Sequence, residues 1–261
     1  MSSQLTPPSL KDFSLEVARG NVSGMSAVNK FGRNIAIASG ITEDIWDQSA
    51  AWVAPTVARV HTIASTAAAD DGPAGVGART MRIYGLTDWD TAEVSEDVTL
   101  DGAGANAVQT ANSYVIVHRM KVLTAGGTNT NAGLITATAN TDTTVTASIL
   151  AEQGQTQMAI YGIPSTQKAY MTSFYCDVNK SGGSAGAVDV ALLFNPEPGD
   201  AATTWLTKIT VGLLTTGSSH IGHVYDPPNE FVGPGILKLA ATSGFSSADV
   251  SAGFDLILVD N

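Results

Sequence analysis

The sequence predicts an all-β protein: a two-sheet antiparallel β-sandwich, jelly-roll-like, with an extended N-terminal arm. Three observations predict it. About a dozen short apolar runs are separated by Gly, Asn, Asp and Pro. Helical periodicity is nearly absent along the chain. The chain also closes on a strongly apolar β-type run, Ala252 to Asn261. Composition agrees, because 26 Gly, many Thr and only 7% aromatic residues suit thin, turn-rich sheets. A propeller would show a repeat of fixed period, and none appears.

Taken in order, residues 1–50 are the least regular and read as an extended arm and linker, with residues 51–261 as the sandwich body. Thr6-Pro7-Pro8-Ser9 opens the leader, and Gly20 to Gly24 and Asn29 to Asn34 supply turn signals. Beyond Trp52 the β-rich runs are Val57–Ser65, Arg79–Leu86, Tyr114–Leu123, Leu134–Ala139, Val145–Leu150 and Gln157–Ile163. Ala169–Val178, Ala187–Phe194, Leu206–Leu214, Ile236–Ala240 and Val250–Val259 complete them. In the last run Phe254, Leu256 and Leu258 share one face and Asp255 leaves on the other, so this strand is expected inside a sheet. Asn179 to Gly186 reads as an exposed hairpin loop. Asn195-Pro196-Glu197-Pro198-Gly199-Asp200 and Asp226-Pro227-Pro228-Asn229 cannot continue a central ladder and read as connections.

Charge and cysteine content restrict the function classes. The net charge of −11, from 13 basic and 24 acidic residues, argues against a nucleic-acid surface, which needs clustered Lys and Arg. Residues 1–35 nonetheless carry a net +2 through Lys11, Arg19, Lys30 and Arg33 against Asp12 and Glu16, which makes the arm a candidate docking element on an acidic body, with a solvated terminal tail as the competing reading. Cys176 is the lone cysteine, so no intrachain disulfide forms, and its place in a strand pattern reads as a buried inert thiol. The opening residues lack the apolar core of a secretory leader, and no run reaches the ~18 apolar residues of a membrane helix.

Concentrated catalytic chemistry is not legible. Gly72-Pro73-Ala74-Gly75-Val76-Gly77 lacks the Lys of a phosphate loop. His220-Ile221-Gly222-His223 with Asp226 has zinc-like spacing only on a helix, and on a strand the two imidazoles face opposite ways. Asp88, Asp90, Glu93, Glu96 and Asp97 form an acidic cluster without the Gly-bearing calcium loop, so a solvated surface is the better reading. Trp46, Trp52, Trp89 and Trp205 suit a sugar-stacking platform or core packing, and core packing is favoured. The residues alone therefore predict a non-enzymatic body with no cofactor and no metal.

One resemblance narrows the function. Ala18-Arg19-Gly20-Asn21-Val22-Ser23-Gly24, Val28-Asn29-Lys30-Phe31-Gly32 and Asp44-Ile45-Trp46-Asp47 carry its first part. Val76-Gly77-Ala78-Arg79-Thr80, Gln155 to Gly162, Asn195-Pro196-Glu197-Pro198 and Gly253-Phe254-Asp255-Leu256 carry the rest. With these the chain resembles virion structural proteins of tailed bacteriophages of aquatic bacteria, and in particular capsid cement, or decoration, proteins. The resemblance implies a structural protein made in the host bacterial cytoplasm that ends on the capsid surface. There it would bind the major capsid protein and stabilise the head, with no nucleic-acid or membrane partner. A homotrimer is expected by analogy, because head surfaces offer threefold positions. The arm would cross to a neighbouring subunit through Phe13 or Phe31, with Arg19, Lys30 or Arg33 pairing acidic groups, and removing residues 1–35 would leave the body folded. The alternative is a tail- or fibre-associated protein that binds a host glycan.

Overall fold

The computed structural model describes residues 12–53, 56–102, 107–180, 186–200, 204–215 and 219–261. The first elements are α1 (Phe13–Ala18), β1 (Met25–Ile37) and β2 (Thr42–Asp44). Then come β3 (Arg59–Ser65), β4 (Ala78–Leu86), β5 (Val94–Thr99), β6 (Val108–Tyr114), β7 (Ile116–Ala125), β8 (Ile135–Ala139) and β9 (Val145–Ile149). The last group is β10 (Ile160–Ile163), β11 (Gln167–Lys180), β12 (Ala187–Asn195), β13 (Leu206–Leu214), β14 (Ser219–Val232), β15 (Gly235–Ser243) and β16 (Ala248–Asp260). The all-β prediction holds.

Two sheets of the same outer chain segments make a jelly roll. The first sheet runs β1-β16-β11-β14 and the second runs β10-β15-β12-β13, with β2 also paired to β15. From β10 to β16 the chain alternates between them, staying in one sheet only for the β12–β13 hairpin. This is the double Greek key of a two-sheet jelly roll. Its core lies between the sheets and includes Phe174, Phe254, Leu192, Leu239, Leu256 and Leu258. As expected, β16 is internal: it pairs with β1 on one side and β11 on the other. Its Phe254, Leu256 and Leu258 are buried, while Asp255 faces the opposite way and bonds Asn29 and Ser173.

The body is not one sandwich. Residues 59–149 form a second pair of sheets, β6-β3-β8-β9 and β5-β4-β7, inserted between β2 and β10. They enclose a separate core that includes Ile63, Met81, Ile83, Tyr114, Ile116 and Met120. Trp46, Trp52, Met158, Ile160 and Ile236 belong to that second core, although Tyr161, Leu237 and Leu239 belong to the first. The β10–β15 part of the second sheet is therefore a shared middle layer, with side chains in one core on one face and in the other core on the other face. That explains why Ile236-Leu237-Lys238-Leu239-Ala240-Ala241 is continuously buried instead of alternating.

The arm expectation is corrected for residues 25–50. β1 pairs with β16 from Met25 to Ile37, so it is a body strand. Its polar spelling, Asn29-Lys30-Phe31-Gly32-Arg33-Asn34, hid this, because its polar groups are satisfied inside the fold. Asn34 donates to Glu43 at 2.9 Å, and Arg33 forks onto Asp249 at 2.9 and 2.6 Å. Gly32 is needed here, since a Cβ would come 2.2 Å from the Ile45 carbonyl oxygen. Residues 13–18 are helical, capped by the Asp12 carboxylate accepting from the Leu15 N–H. Leu5, Leu10 and the Thr6–Ser9 stretch lie outside the described residues.

Two further boundaries change. Asp226-Pro227-Pro228-Asn229 is not a connection; it lies within β14. The register with β11 jumps between Met171↔Asn229 and Ser173↔Val224, so the prolines occupy a bulge on an edge strand, where a missing N–H costs no ladder bond. The run expected over Gln157–Ile163 is strand only from Ile160. In the loop after β12, Glu197, Gly199 and Asp200 are exposed as expected, but Asn195 and Pro198 are buried. Most of the Asn179–Gly186 loop, residues 181–185, lies outside the described residues.

Candidate functional site: a groove and a cavity flanking β1

The five residues expected to touch a partner divide between two fates. Phe13 and Leu15 stand on α1 at 54% and 52% exposure, while Val17 of the same helix is buried. The helix thus spends one apolar side chain on packing and leaves two in water. Arg19 reaches back to Glu16 at 3.3 Å, an exposed pair of small energetic weight. Phe31 is half-buried in β1 opposite Gly253. Lys30 and Arg33 have partners within the chain and are not free arm cations. Arg33 pairs with Asp249, which holds the guanidinium charge still more firmly.

Below α1 runs an apolar groove of about 300 Å³ on the outer face of the first sheet, lined by Phe13, Met25, Tyr170, Pro228, Ile257 and Val259. On a two-sheet body the outer face of a strand is normally polar, so this run of apolar side chains is unusual for a surface. At its rim Glu230 accepts from the Tyr170 hydroxyl at 2.6 Å and pairs with Lys168 at 3.6 Å.

On the other flank of β1 lies a polar cavity of about 170 Å³, where the inserted sheets meet the jelly roll. The Lys30 ammonium is 2% exposed and donates to the His118 carbonyl. His118, 1% exposed, holds the Glu93 carboxylate through Nε2 at 2.5 Å, and its ring lies against Tyr161 with centroids 4.6 Å apart. Arg119 donates to the Asn29 carbonyl. Burial and the neighbouring Arg119 pull the Lys30 pKa well below its ordinary value, and Glu93 opposes them. Burial likewise lowers the His118 pKa against the pull of Glu93. Burial raises the Glu93 pKa, but His118, Lys30 and Arg119 outweigh it and hold the carboxyl below its usual range. Sequence reading found Lys30 and Glu93 but assigned them to an arm and an acidic surface; only the fold puts them in one cavity with His118.

The other sequence candidates disperse. His220 pairs with Asp177 at 2.6 Å, whereas His223 packs its ring against Tyr225 and Phe174. Glu96 accepts from the backbone of Ala111, Asp97 forks with Arg82, and Asp90 accepts from Ser165. Trp46 and Trp52 are buried, and Trp89 and Trp205 pack half-buried on the second core. Cys176 is buried, and burial first and Asp177 second push its thiol up to about 11. Among the described residues, no group of three His, Cys, Asp or Glu is arranged to hold a metal, and no helix is long and apolar enough to cross a membrane. Comparison with models of known protein families and with curated proteins finds no match.

Proposed function

We propose that this protein is a structural, non-enzymatic component of a tailed-bacteriophage particle: a capsid cement protein that binds the major capsid protein lattice and stabilises the head. The observation that carries the proposal is the apolar groove beneath α1, with Phe13 lining it half in water and Leu15 exposed on the same helix. Covering one such side chain contributes ~1.5–3 kcal/mol, against ~0–1 kcal/mol for a surface ion pair such as Arg19–Glu16. Affinity for a shell therefore comes from the groove and not from the arm cations. The jelly-roll order is one that viral capsid and lectin domains share, and a rigid body of this kind suits a lattice contact. A homotrimer would present three grooves to three equivalent capsid subunits.

The test is a Phe13→Asp, Leu15→Asp double variant mixed with purified heads lacking the protein. Both positions are exposed, so the variant should melt at the wild-type temperature yet fail to bind heads or to protect them from heat. Undiminished head binding would remove the groove from the mechanism. Quantifying the protein in intact particles separates the two assembly readings. A cement protein is present at on the order of hundreds of copies, as a surface lattice requires. A few copies to a few dozen would favour the tail- or fibre-associated glycan reader.

A further inference from the structure

The jelly roll is covered on one side and open on the other. On the β1 side the inserted sandwich covers it: Arg119 donates to the Asn29 carbonyl, and Lys30 to that of His118. The inserted sandwich is itself closed, with β5 against β6 and β7 against β9. On the far side β14 ends the first sheet and β13 ends the second. Among the described residues β14 pairs only with β11, and β13 only with β12. Half the backbone N–H and C=O groups of an edge strand point away from its sheet, so both strands offer ladders without a partner.

The core is uncovered at the same place. Ile209 and Val211 of β13 lie opposite the buried Leu192 and Val190, and Ile221 of β14 lies opposite the buried Cys176. Side chains opposite each other in register share a face, so these three point between the sheets. They nevertheless stay half-buried, as does Tyr225, where a closed sandwich would bury them. Beside them Leu214 is 61% exposed and Val224 75%. Charge or proline normally blunts such an edge. Here Pro227 and Pro228 blunt only the second half of β14, and Ser219 to Tyr225 contains neither proline nor any Lys, Arg, Asp or Glu.

Charge and strand direction indicate what covers this side. β13 carries Lys208 and no carboxylate, whereas β14 carries Asp226 and Glu230 and no Lys or Arg. Glu230 pairs with Lys168 of β11, and Asp226 is exposed. Like edges set against each other would oppose charges of one sign, and unlike edges attract. The two strands also run in opposite directions, because residues 215–218 join the end of β13 to the start of β14 across the gap. A second copy turned about an axis parallel to the strands therefore sets its β13 antiparallel to β14 of the first. It brings its own Ile209, Val211 and Ile221 to close the gap.

We propose that this open side binds a second copy of the chain, β14 of one copy pairing with β13 of the next. The contact supplies an interface for the homotrimer proposed above; only the count of three rests on that reading, and head binding is not required. Sedimentation of the wild-type protein should show oligomers that dissociate on dilution; a monomer persisting at on the order of 100 µM would overturn the pairing and leave the side to a different partner. A dimer would keep the pairing and remove the count of three. Val211→Lys in β13 and Ile221→Lys in β14 each place a charge in the joined core, and far-UV dichroism checks that each variant keeps the wild-type fold. Each alone should weaken association by about tenfold or more. Their equimolar mixture should regain association, because β14 of the Val211→Lys chain meets β13 of the Ile221→Lys chain with neither strand substituted. Pairing of like edges gives no such recovery, so its absence between folded variants would overturn the proposal. In the wild type, amides of β13 and β14 should exchange more slowly as the protein associates, a readout that needs no variant to fold; unchanged exchange would count equally against it. The Phe13→Asp, Leu15→Asp variant should associate as the wild type does, so loss of head binding and loss of edge pairing are read separately.

Discussion

At Asp70 a fully buried carboxylate organises three loops of the inserted sandwich. One oxygen accepts from the N–H groups of Ala78 at 2.8 Å and Ala132 at 2.7 Å. The other accepts from the Gly133 N–H at 2.9 Å and the Ser65 hydroxyl at 2.6 Å. Ser65, Ala78 and Gly133 are buried and Ala132 is half-buried, so removing the acceptor strands several polar groups at once. Asp70→Ala should cost about 3–5 kcal/mol, read as a lowered denaturant midpoint; a cost under about 1 kcal/mol would mean that water replaces the carboxylate. Nothing in Ala67-Ala68-Ala69-Asp70-Asp71 announces this role, because the donors come from residues more than sixty positions away in the chain as well as from neighbours. The same holds for the buried pair of Lys238 and Asp44, 2.8 Å apart, which also sets the Lys238 ammonium 4.1 Å over the Trp205 ring.

Asp47 gives a residue-scale prediction with a sign. Burial pushes its carboxyl up to about 7, while N–H groups of Gln157 and Leu150 pull the other way. An unfolded Asp titrates near ~3.9. Between these values the folded protein holds a proton that the unfolded chain has released. This contribution to stability is therefore largest below about pH 4 and is lost as pH rises to about 7, at a slope of at most ~1.4 kcal/mol per pH unit. Asp47→Asn removes the titrating group. Its melting temperature, compared with that of the wild type across this range, should gain steadily as pH rises; a constant difference would show that Asp47 is ionised throughout.

At the scale of elements, the strands most legible in the sequence are those packed on one apolar core, such as β13 and β16, whose bounds fall within a few residues of the apolar runs. β1 and β14 were missed as strands for a shared physical reason. Both lie at sheet edges, where pairing on one side tolerates polar residues and prolines that would break a central ladder. The cavity was illegible for a different reason, since it joins β1 to β7 and to the segment before β5, and only the inserted topology brings them together. The correction to β1 moves the truncation boundary. Removing residues 1–24 should leave a folded body, because α1 buries only Val17. Removing residues 1–35 takes most of the β1 ladder from β16, exposes a long central strand, and should give aggregated protein. Circular dichroism and light scattering of the two truncations distinguish these outcomes; a soluble, folded 36–261 fragment would restore residues 25–35 to the arm.

At the scale of the whole molecule, the insertion could behave as a passenger on the jelly roll or as part of one structure. The shared middle layer favours the second. Ile160 and Ile236 pack into the inserted core while their neighbours Tyr161 and Leu237 pack into the jelly-roll core, so neither core closes without the β10–β15 pair. Trp46 and Met158, bridged to each other, flank the same layer. Separating the sandwiches would expose these side chains at ~25 cal/mol per Å² of apolar surface. A partly unfolded state with one sandwich intact therefore carries a bare apolar face, and it should not accumulate. Calorimetry at neutral pH should accordingly show one transition with equal van't Hoff and calorimetric enthalpies. Tryptophan fluorescence should report that same midpoint, because all four tryptophans pack on the inserted core, while far-UV dichroism reports both sandwiches. Two separated transitions, with fluorescence following only one, would mean that the middle layer does not couple the cores.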